Sequence, residues 1–110
     1  MDIEGAKIEI DGEAIEFNAP IGDEAEFEEV VVIRLEANLD EYPDRNRNVI
    51  GISKDGSISW KIPARPEYDP RQYSGMWTDE DGNLWAFNFD GWAYQIDPST
   101  GAILDKEFHR

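Results

Sequence analysis

The first part of the chain alternates apolar and acidic residues. In residues 8–10 and 15–17, one acidic residue separates two apolar ones. A period of two predicts strands with one apolar face and one solvated, acidic face. Asp11-Gly12 lies between the two segments and is typical of a tight hairpin turn. The sequence therefore predicts an antiparallel hairpin near the start of the chain.

Residues 24–37 contain the longest apolar run of the chain and predict either one long strand or two shorter ones. Both faces of the run are apolar, which indicates a strand inside a sheet rather than at its edge. Residues 38–47 contain a proline and mixed charges, and predict a loop. One face of the run is expected to hold Val31, Ile33, Leu35 and Ala37, and the other Val30, Val32, Arg34 and Glu36.

The next hairpin is closed by the Lys-Asp-Gly sequence at residues 54–56. A three-residue loop with its glycine in the left-handed region places Ile52 opposite Ile58. The same register places Ile50 opposite Trp60, so that large apolar side chains meet across the strands.

The second half of the chain holds all four tryptophans and most of the other aromatic residues. A turn at Glu80-Asp81-Gly82 brings Trp77 opposite Trp85. Cross-strand aromatic pairs contribute about 0.5–1 kcal/mol each beyond their buried area, so this row of rings is expected to be core. A turn at residues 97–101 then leads into a last strand over 102–108. A two-residue turn at Asp90-Gly91 predicts three further pairs: Phe89 with Trp92, Phe87 with Tyr94, and Trp85 with Ile96.

Three segments of this half resemble the repeat unit of a β-propeller. Residues 78–85 read TDEDGNLW, Asp90-Gly91 follows, and residues 94–101 read YQIDPSTG. They are similar to blades of the PQQ-type and gluconolactonase-like (SMP-30-like) propellers, and residues 48–62 resemble part of a preceding blade. The whole arrangement also resembles a small uncharacterised prokaryotic family of about this length. The resemblance implies a blade-like sheet and no particular activity, because propeller sites lie in a channel lined by several blades.

The pattern and the resemblance together predict an all-β fold. We expect antiparallel meanders of about eight strands, with a C-terminal four-stranded, blade-like sheet and N-terminal strands that pack on it or extend it. The chain is expected to be a single domain over residues 1–110, in which 1–47 form acidic strands and a loop and 48–110 form the blade-like repeats. An open sheet leaves edge strands, so either a monomer or a homodimer joined through an edge strand is expected.

Composition narrows the possible functions. With 25 acidic and 10 basic residues, the formal net charge of the 110-residue chain is −15. It has no basic stripe for nucleic acid, no cysteine for a disulfide or thiol nucleophile, and a single histidine, His109, near its end. We expect no cofactor, no metal site, no membrane association and a cytoplasmic location. No residue pattern marks an enzyme, although so many carboxylates leave an acid/base pair possible.

The acidic surface is the main candidate for function. It would steer and bind a basic protein partner, as an inhibitor or immunity-type protein does. Residues 63–70 are expected to form a long proline-containing loop, and tyrosines in or beside it are expected to be exposed. The candidate binding residues are Glu24, Glu26, Glu28, Glu29, Asp40, Glu41, Asp44, Tyr68 and Tyr73.

Three alternatives stay open. The tryptophans and carboxylates could form a small carbohydrate-binding or lactonase/lyase-like site. The acidity could instead be an adaptation to high salt that is unrelated to function. The spacing Asp79-x-Asp81-x-Asn83 has the start of a calcium loop, but the sixth position is Leu84 rather than glycine, so a hairpin turn is favoured.

Overall fold

The computed structural model of the chain describes residues 2–36, 45–65 and 71–108. These residues form eleven antiparallel strands in three sheets, and one short 3-10 turn at Arg45–Arg47. The all-β prediction is confirmed, with eleven strands where about eight were expected. Within the same residues, no helix has the length and apolar character needed to cross a membrane.

The N-terminal sheet contains three strands in chain order: β1 (Asp2–Glu4), β2 (Lys7–Ile10) and β3 (Glu13–Glu16). Ile10 lies opposite Glu13, so Asp11-Gly12 forms a two-residue turn between β2 and β3. Both turn residues have positive φ, as this tight turn requires. The predicted hairpin is confirmed.

The middle sheet contains β4 (Ile21–Glu26), β5 (Val30–Leu35), β6 (Val49–Ser53) and β7 (Ile58–Lys61) in that order. The apolar run therefore belongs to the second of two strands, and β5 lies inside the sheet as predicted. The sheet contains two strands from the predicted segment 1–47 and two from the predicted segment 48–110.

The C-terminal sheet contains β8 (Tyr73–Thr78), β9 (Leu84–Asn88), β10 (Trp92–Ile96) and β11 (Ile103–Phe108). These strands form a four-stranded meander with β8 and β11 at its edges. A C-terminal four-stranded sheet was expected and is present.

Two apolar cores separate the three sheets. The first core lies between the N-terminal and middle sheets, and the second lies between the middle and C-terminal sheets. Alternate residues of β5 contribute to each, for example Val31 to the first and Val32 to the second. Stacked sheets lie about 10 Å apart, and the shortest dimension of the molecule is 20 Å. The fold is therefore a three-layer β-sandwich.

Trp60 lies in the second core, because β7 contains a bulge. Ile52 lies opposite Ile58 as predicted, but Gly51 rather than Ile50 lies opposite Trp60. The predicted pairing of Ile50 with Trp60 is therefore wrong. The extra residue of the bulge turns the indole to the other face of the sheet, where it packs over a glycine that has no side chain to obstruct it.

The loop between β9 and β10 also differs from the prediction. It has three residues, Phe89 to Gly91, with Gly91 at φ +91° and its N–H donating to the carbonyl of Asn88. Tyr94 consequently lies opposite Ala86, and Ile96 opposite Leu84. The two-residue turn and all three of its predicted pairs are wrong by one residue.

A shift of one residue in the pairing of two strands moves the side chains of one strand to the opposite face of the sheet. Trp77 lies opposite Trp85 as predicted, but this pair shares the outward face with Phe87. Trp77 is 37% exposed. Trp92 lies on the other face, at the start of β10, with its ring centroid 5.2 Å from that of Phe108. The expectation that these rings form the core is wrong, and of the four tryptophans only Trp60 is a core residue.

The start of β8 is fastened to the middle sheet by Asn48, which is fully buried. Its Nδ2 donates to the carbonyls of Leu35 and Tyr73, at 2.7 and 2.8 Å. Its Oδ1 accepts from the N–H of Tyr73 at 3.0 Å. The hydrogen bonds of this one side-chain amide thus join the middle and C-terminal sheets at the start of β8.

Candidate functional site

A cleft of about 430 Å³ opens where three turns of the chain come together. The turns belong to the β4–β5, β6–β7 and β10–β11 hairpins, and so bring together two of the three sheets. We call this the acidic cleft, and its lining residues are Phe27–Val30, Ser53, Ser59, Pro98 and Ser99.

Local interactions determine where the carboxylates of the acidic cleft lie. The N–H of Phe27 donates to the carbonyl of Val30 at 2.8 Å, so Glu28 and Glu29 form a two-residue turn. The backbone carbonyl of Glu29 accepts from the N–H of Lys54, which places this turn beside the β6–β7 hairpin. Both glutamate side chains therefore project at the tip of a hairpin and are exposed.

The third wall of the cleft is positioned by Trp60. Its indole Nε1 donates to the carbonyl of Pro98 at 2.9 Å. The ring also lies against Gly101, where an added Cβ would stand 2.4 Å from Cε3. The tryptophan of the middle sheet thus fixes the β10–β11 turn at the cleft.

The cleft carries uncompensated negative charge. Among the described residues, no basic side chain pairs with Glu28 or Glu29. The nearby Lys54 is taken by Glu26, with Nζ and Oε2 2.5 Å apart. The hydrogen bond and the positive charge of Lys54 hold the pKa of Glu26 below its usual value. The acidic cleft is therefore lined by two glutamates that no described basic side chain neutralises, and by three serines.

A second cleft, of about 520 Å³, lies at the start of β4 and includes Glu24 in its lining. Its other carboxylate, Asp23, is paired with the buried Arg34 at 2.5 Å. The same guanidinium pairs with Glu36 at 2.7 Å. Because Arg34 already neutralises Asp23, the second cleft is a weaker candidate for binding a cation.

The structure therefore separates the predicted acidic residues. Glu28 and Glu29 lie together in the acidic cleft, whereas Glu24 lies in the second cleft and Glu26 in a surface ion pair. The remaining candidates Asp40, Glu41, Asp44 and Tyr68 lie outside the described residues.

Tyr73 is fully buried, and its expected exposure is wrong. The ring packs edge-on against Tyr94 with centroids 5.9 Å apart, and burial raises the pKa of Tyr73 to about 12. Asn48 holds the backbone of Tyr73 at the start of β8. The side chain of Tyr73 lies in the second core.

A buried polar cluster beside Tyr94 was not predicted from the sequence. Asp90 Oδ2 accepts from Arg65 Nη2 at 2.6 Å and from the hydroxyl of Tyr94, while Oδ1 accepts from the N–H of Trp92. Burial alone would raise the pKa of Asp90, but these hydrogen bonds outweigh it and lower the pKa. The donors occupy both oxygens of the carboxylate and stabilise the β9–β10 loop.

The segment with the calcium-loop spacing forms a hairpin turn, as predicted. Asp79 Oδ1 accepts from the N–H groups of Asp81 and Asn83, and Oδ2 accepts from the indole of Trp85 at 2.9 Å. In the described part of the chain, no group of three or more potential metal ligands comes together.

The cleft residues outside the acidic turn were missed because they are ordinary in sequence. Ser53, Ser59 and Ser99 carry no motif, and the packing of Trp60 against the β10–β11 turn joins residues that are distant in the chain. The Glu-Glu pair at residues 28–29, between two strand segments, was the one local signal.

Comparison with protein families identifies the family of this chain. A family model described as "Domain of unknown function (DUF7957)" matches residues 1–108. No curated protein and no solved structure matches the chain.

Proposed function

We propose that the chain, which belongs to this family, is a non-enzymatic binding protein that holds a cationic side chain of a basic protein partner in the acidic cleft. An inhibitor or immunity-type protein is one concrete form of this function. The observation that carries the proposal is the pair of unpaired carboxylates, Glu28 and Glu29, in a cleft of about 430 Å³.

The fold itself does not account for this pair. Neither residue of the turn has positive φ, so its backbone accepts most residue types and does not require glutamate. Two adjacent carboxylates also repel each other. Within the described residues, no hydrogen bond or ion pair is made by either side chain. Binding of a cation would supply the missing compensation.

The first test measures binding of an arginine-rich peptide, Gly-Arg repeated three times, by calorimetry in low salt. Replacing both Glu28→Gln and Glu29→Gln should weaken binding by about ten-fold, because two exposed charge pairs are worth up to about 1 kcal/mol each. The matched control, Glu9→Gln with Glu16→Gln, removes the same charge from exposed positions of the N-terminal sheet and should leave binding nearly unchanged.

Equal weakening in the two double variants would contradict the proposal, because the peptide would then respond only to net charge. The salt-adaptation alternative predicts equal weakening of peptide binding in the two double variants. It also predicts a thermal stability that rises steeply up to molar KCl. Localised amide shifts at Ser53, Ser59 and Ser99 on adding the peptide would support the cleft.

A second candidate, carbohydrate binding, is favoured by the outward aromatic face. Trp77, Trp85, Gln95 and Asp105 lie opposite one another on four successive strands. Strands are about 4.8 Å apart, so this row is about 14 Å long, with rings at one end and hydrogen-bonding groups at the other. Asp79 holds the indole of Trp85 in place.

The second candidate predicts that a neutral oligosaccharide from a titration panel changes tryptophan fluorescence. Trp77→Ala should weaken that response by about ten-fold, since ring stacking is worth about 0.5–1.5 kcal/mol beyond area. Trp92→Ala, on the opposite face, is the control. A response that Trp77→Ala leaves intact, or no response to any sugar, would remove this candidate.

The propeller resemblance belongs with these proposals. Two successive four-stranded meanders, the middle and C-terminal sheets, pack face to face through the second core. This arrangement supports the view that the two sheets correspond to consecutive propeller blades, with the N-terminal sheet covering the outer face of the first.

A further inference from the structure

β11 differs from the other strands at the edges of the three sheets. All six of its residues, Ile103–Phe108, are exposed. Within the described residues only β10 pairs with it. Its other edge therefore presents backbone groups to solvent, and such an edge accepts an additional strand. Within β11 itself, the N–H of Lys106 donates to Asp105 Oδ1 at 2.8 Å.

The two faces of β11 carry opposite charges. Asp105 and Glu107 lie on the outward face of the C-terminal sheet. Lys106 lies on the other face, 4.7 Å from the ring centroid of Trp92. Phe108 is on that face too and is 51% exposed. An added strand would thus meet carboxylates on one side, and apolar surface with one cation on the other.

Charge disfavours a second copy of this chain as the added strand. In a symmetric antiparallel pair, the two-fold axis is perpendicular to the sheet, so only residues of the same face lie opposite each other. Every such register centred within residues 105–107 places Asp105 or Glu107 opposite itself, or the two opposite each other. Like charges that lie directly opposite destabilise a sheet, and each copy carries a net charge of −15.

We infer that the free edge of β11 binds an extended, basic segment of a partner protein as a fifth strand of the C-terminal sheet. Two cationic residues of the segment, two positions apart, lie opposite Asp105 and Glu107. The residue between them is apolar, because a cation there would face Lys106. This site is separate from the acidic cleft and does not depend on it, although the turn that lines the cleft leads directly into β11.

The test uses an acetylated hexapeptide of alternating valine and lysine with the isotope-labelled full chain. The peptide should slow amide hydrogen exchange in β11, and calorimetry should give a measurable affinity. A peptide of the same composition with its three lysines in one block should bind at least several-fold more weakly, because its cations cannot all reach one face.

The variant Asp105→Asn with Glu107→Gln should bind the alternating peptide about ten-fold more weakly than the unmodified chain. The control Glu9→Gln with Glu16→Gln should bind it nearly as well. The cleft variant Glu28→Gln with Glu29→Gln should also bind it nearly as well, so the two proposals can fail separately.

Three results would overturn the inference: equal binding of the alternating and block peptides, slowed exchange at sites other than β11, or loss of binding in the control. Sedimentation that shows a dimer whose contacts protect β11 would also overturn it, because the edge would then be occupied by a second copy.

Discussion

Replacing Trp60 by alanine is expected to lower the free energy of unfolding by about 3–5 kcal/mol, the usual cost of removing a buried aromatic ring. The ring lies between Gly51 and Gly101, and neither glycine has a side chain at the contact. A Cβ on Gly51 would stand 2.2 Å from Cε2, and one on Gly101 would stand 2.4 Å from Cε3. Few neighbouring groups could move in to fill the cavity, which favours the upper part of this range.

Urea unfolding followed by far-UV circular dichroism measures this loss. Trp77→Ala is the matched control, since it removes the same side chain from the outward face, and it should cost much less. A Trp60→Ala variant that is no less stable than Trp77→Ala would mean that the indole is not enclosed between the two sheets. Because the indole also holds Pro98, the same variant should lose the binding expected at the acidic cleft.

Replacing Asn48 by alanine is expected to lower the free energy of unfolding by about 2–4 kcal/mol. The substitution leaves the N–H of Tyr73 and two carbonyls without the hydrogen bonds that Asn48 supplies. A buried group that loses its partner costs about 1–3 kcal/mol, although a carbonyl that keeps another donor costs less. Arg34 Nη1, 3.5 Å from the carbonyl of Tyr73, is such a donor.

The control for this variant is Asn18→Ala, because Asn18 is exposed, and a stability change within about 0.5 kcal/mol is expected there. Hydrogen exchange adds a local measurement. In Asn48→Ala the amide of Tyr73 should exchange much faster, while amides inside β5 should change only as much as global stability does. Unchanged protection at Tyr73 would show that the amide of Asn48 does not join the two sheets.

Most of the strands could be predicted from the sequence because they follow a local pattern. Val31 and Val32 belong to an apolar run whose two faces are both buried, and a run of this kind predicts an internal strand wherever it occurs. Asp11-Gly12 and residues 80–82 specify their turns through backbone preferences that do not depend on the rest of the fold. These are the parts of the structure that the pattern predicted correctly.

The errors arose where one residue of register decides which face is buried. Asp90-Gly91 fits a two-residue turn, but Phe89 joins the loop because Asn88 and Asp90 accept hydrogen bonds from the following N–H groups. At Trp60, a bulge changes the face, and the reason is the space above Gly51 in the opposite strand. Neither effect is visible in the local alternation of apolar and polar residues.

The acidic cleft could be predicted only in part, for a related reason. Composition pointed to the acidic residues, and two of them, Glu28 and Glu29, lie in the cleft. Charge alone did not distinguish them from Glu26, which Lys54 neutralises, because that pairing joins residues 28 positions apart in the chain. Tyr73 was assigned to an exposed position from its proximity to a proline-containing loop, whereas its backbone contacts with Asn48 place it in the core.

The account depends most on the position of the Trp60 ring, because that ring joins the middle sheet to the β10–β11 turn and so positions one wall of the cleft. Nuclear Overhauser contacts of the Trp60 indole test this position directly. We expect strong contacts from the ring protons to the α-protons of both Gly51 and Gly101. Contacts to the side chain of Ile50 in place of those to the two glycines would contradict the fold and the site described above.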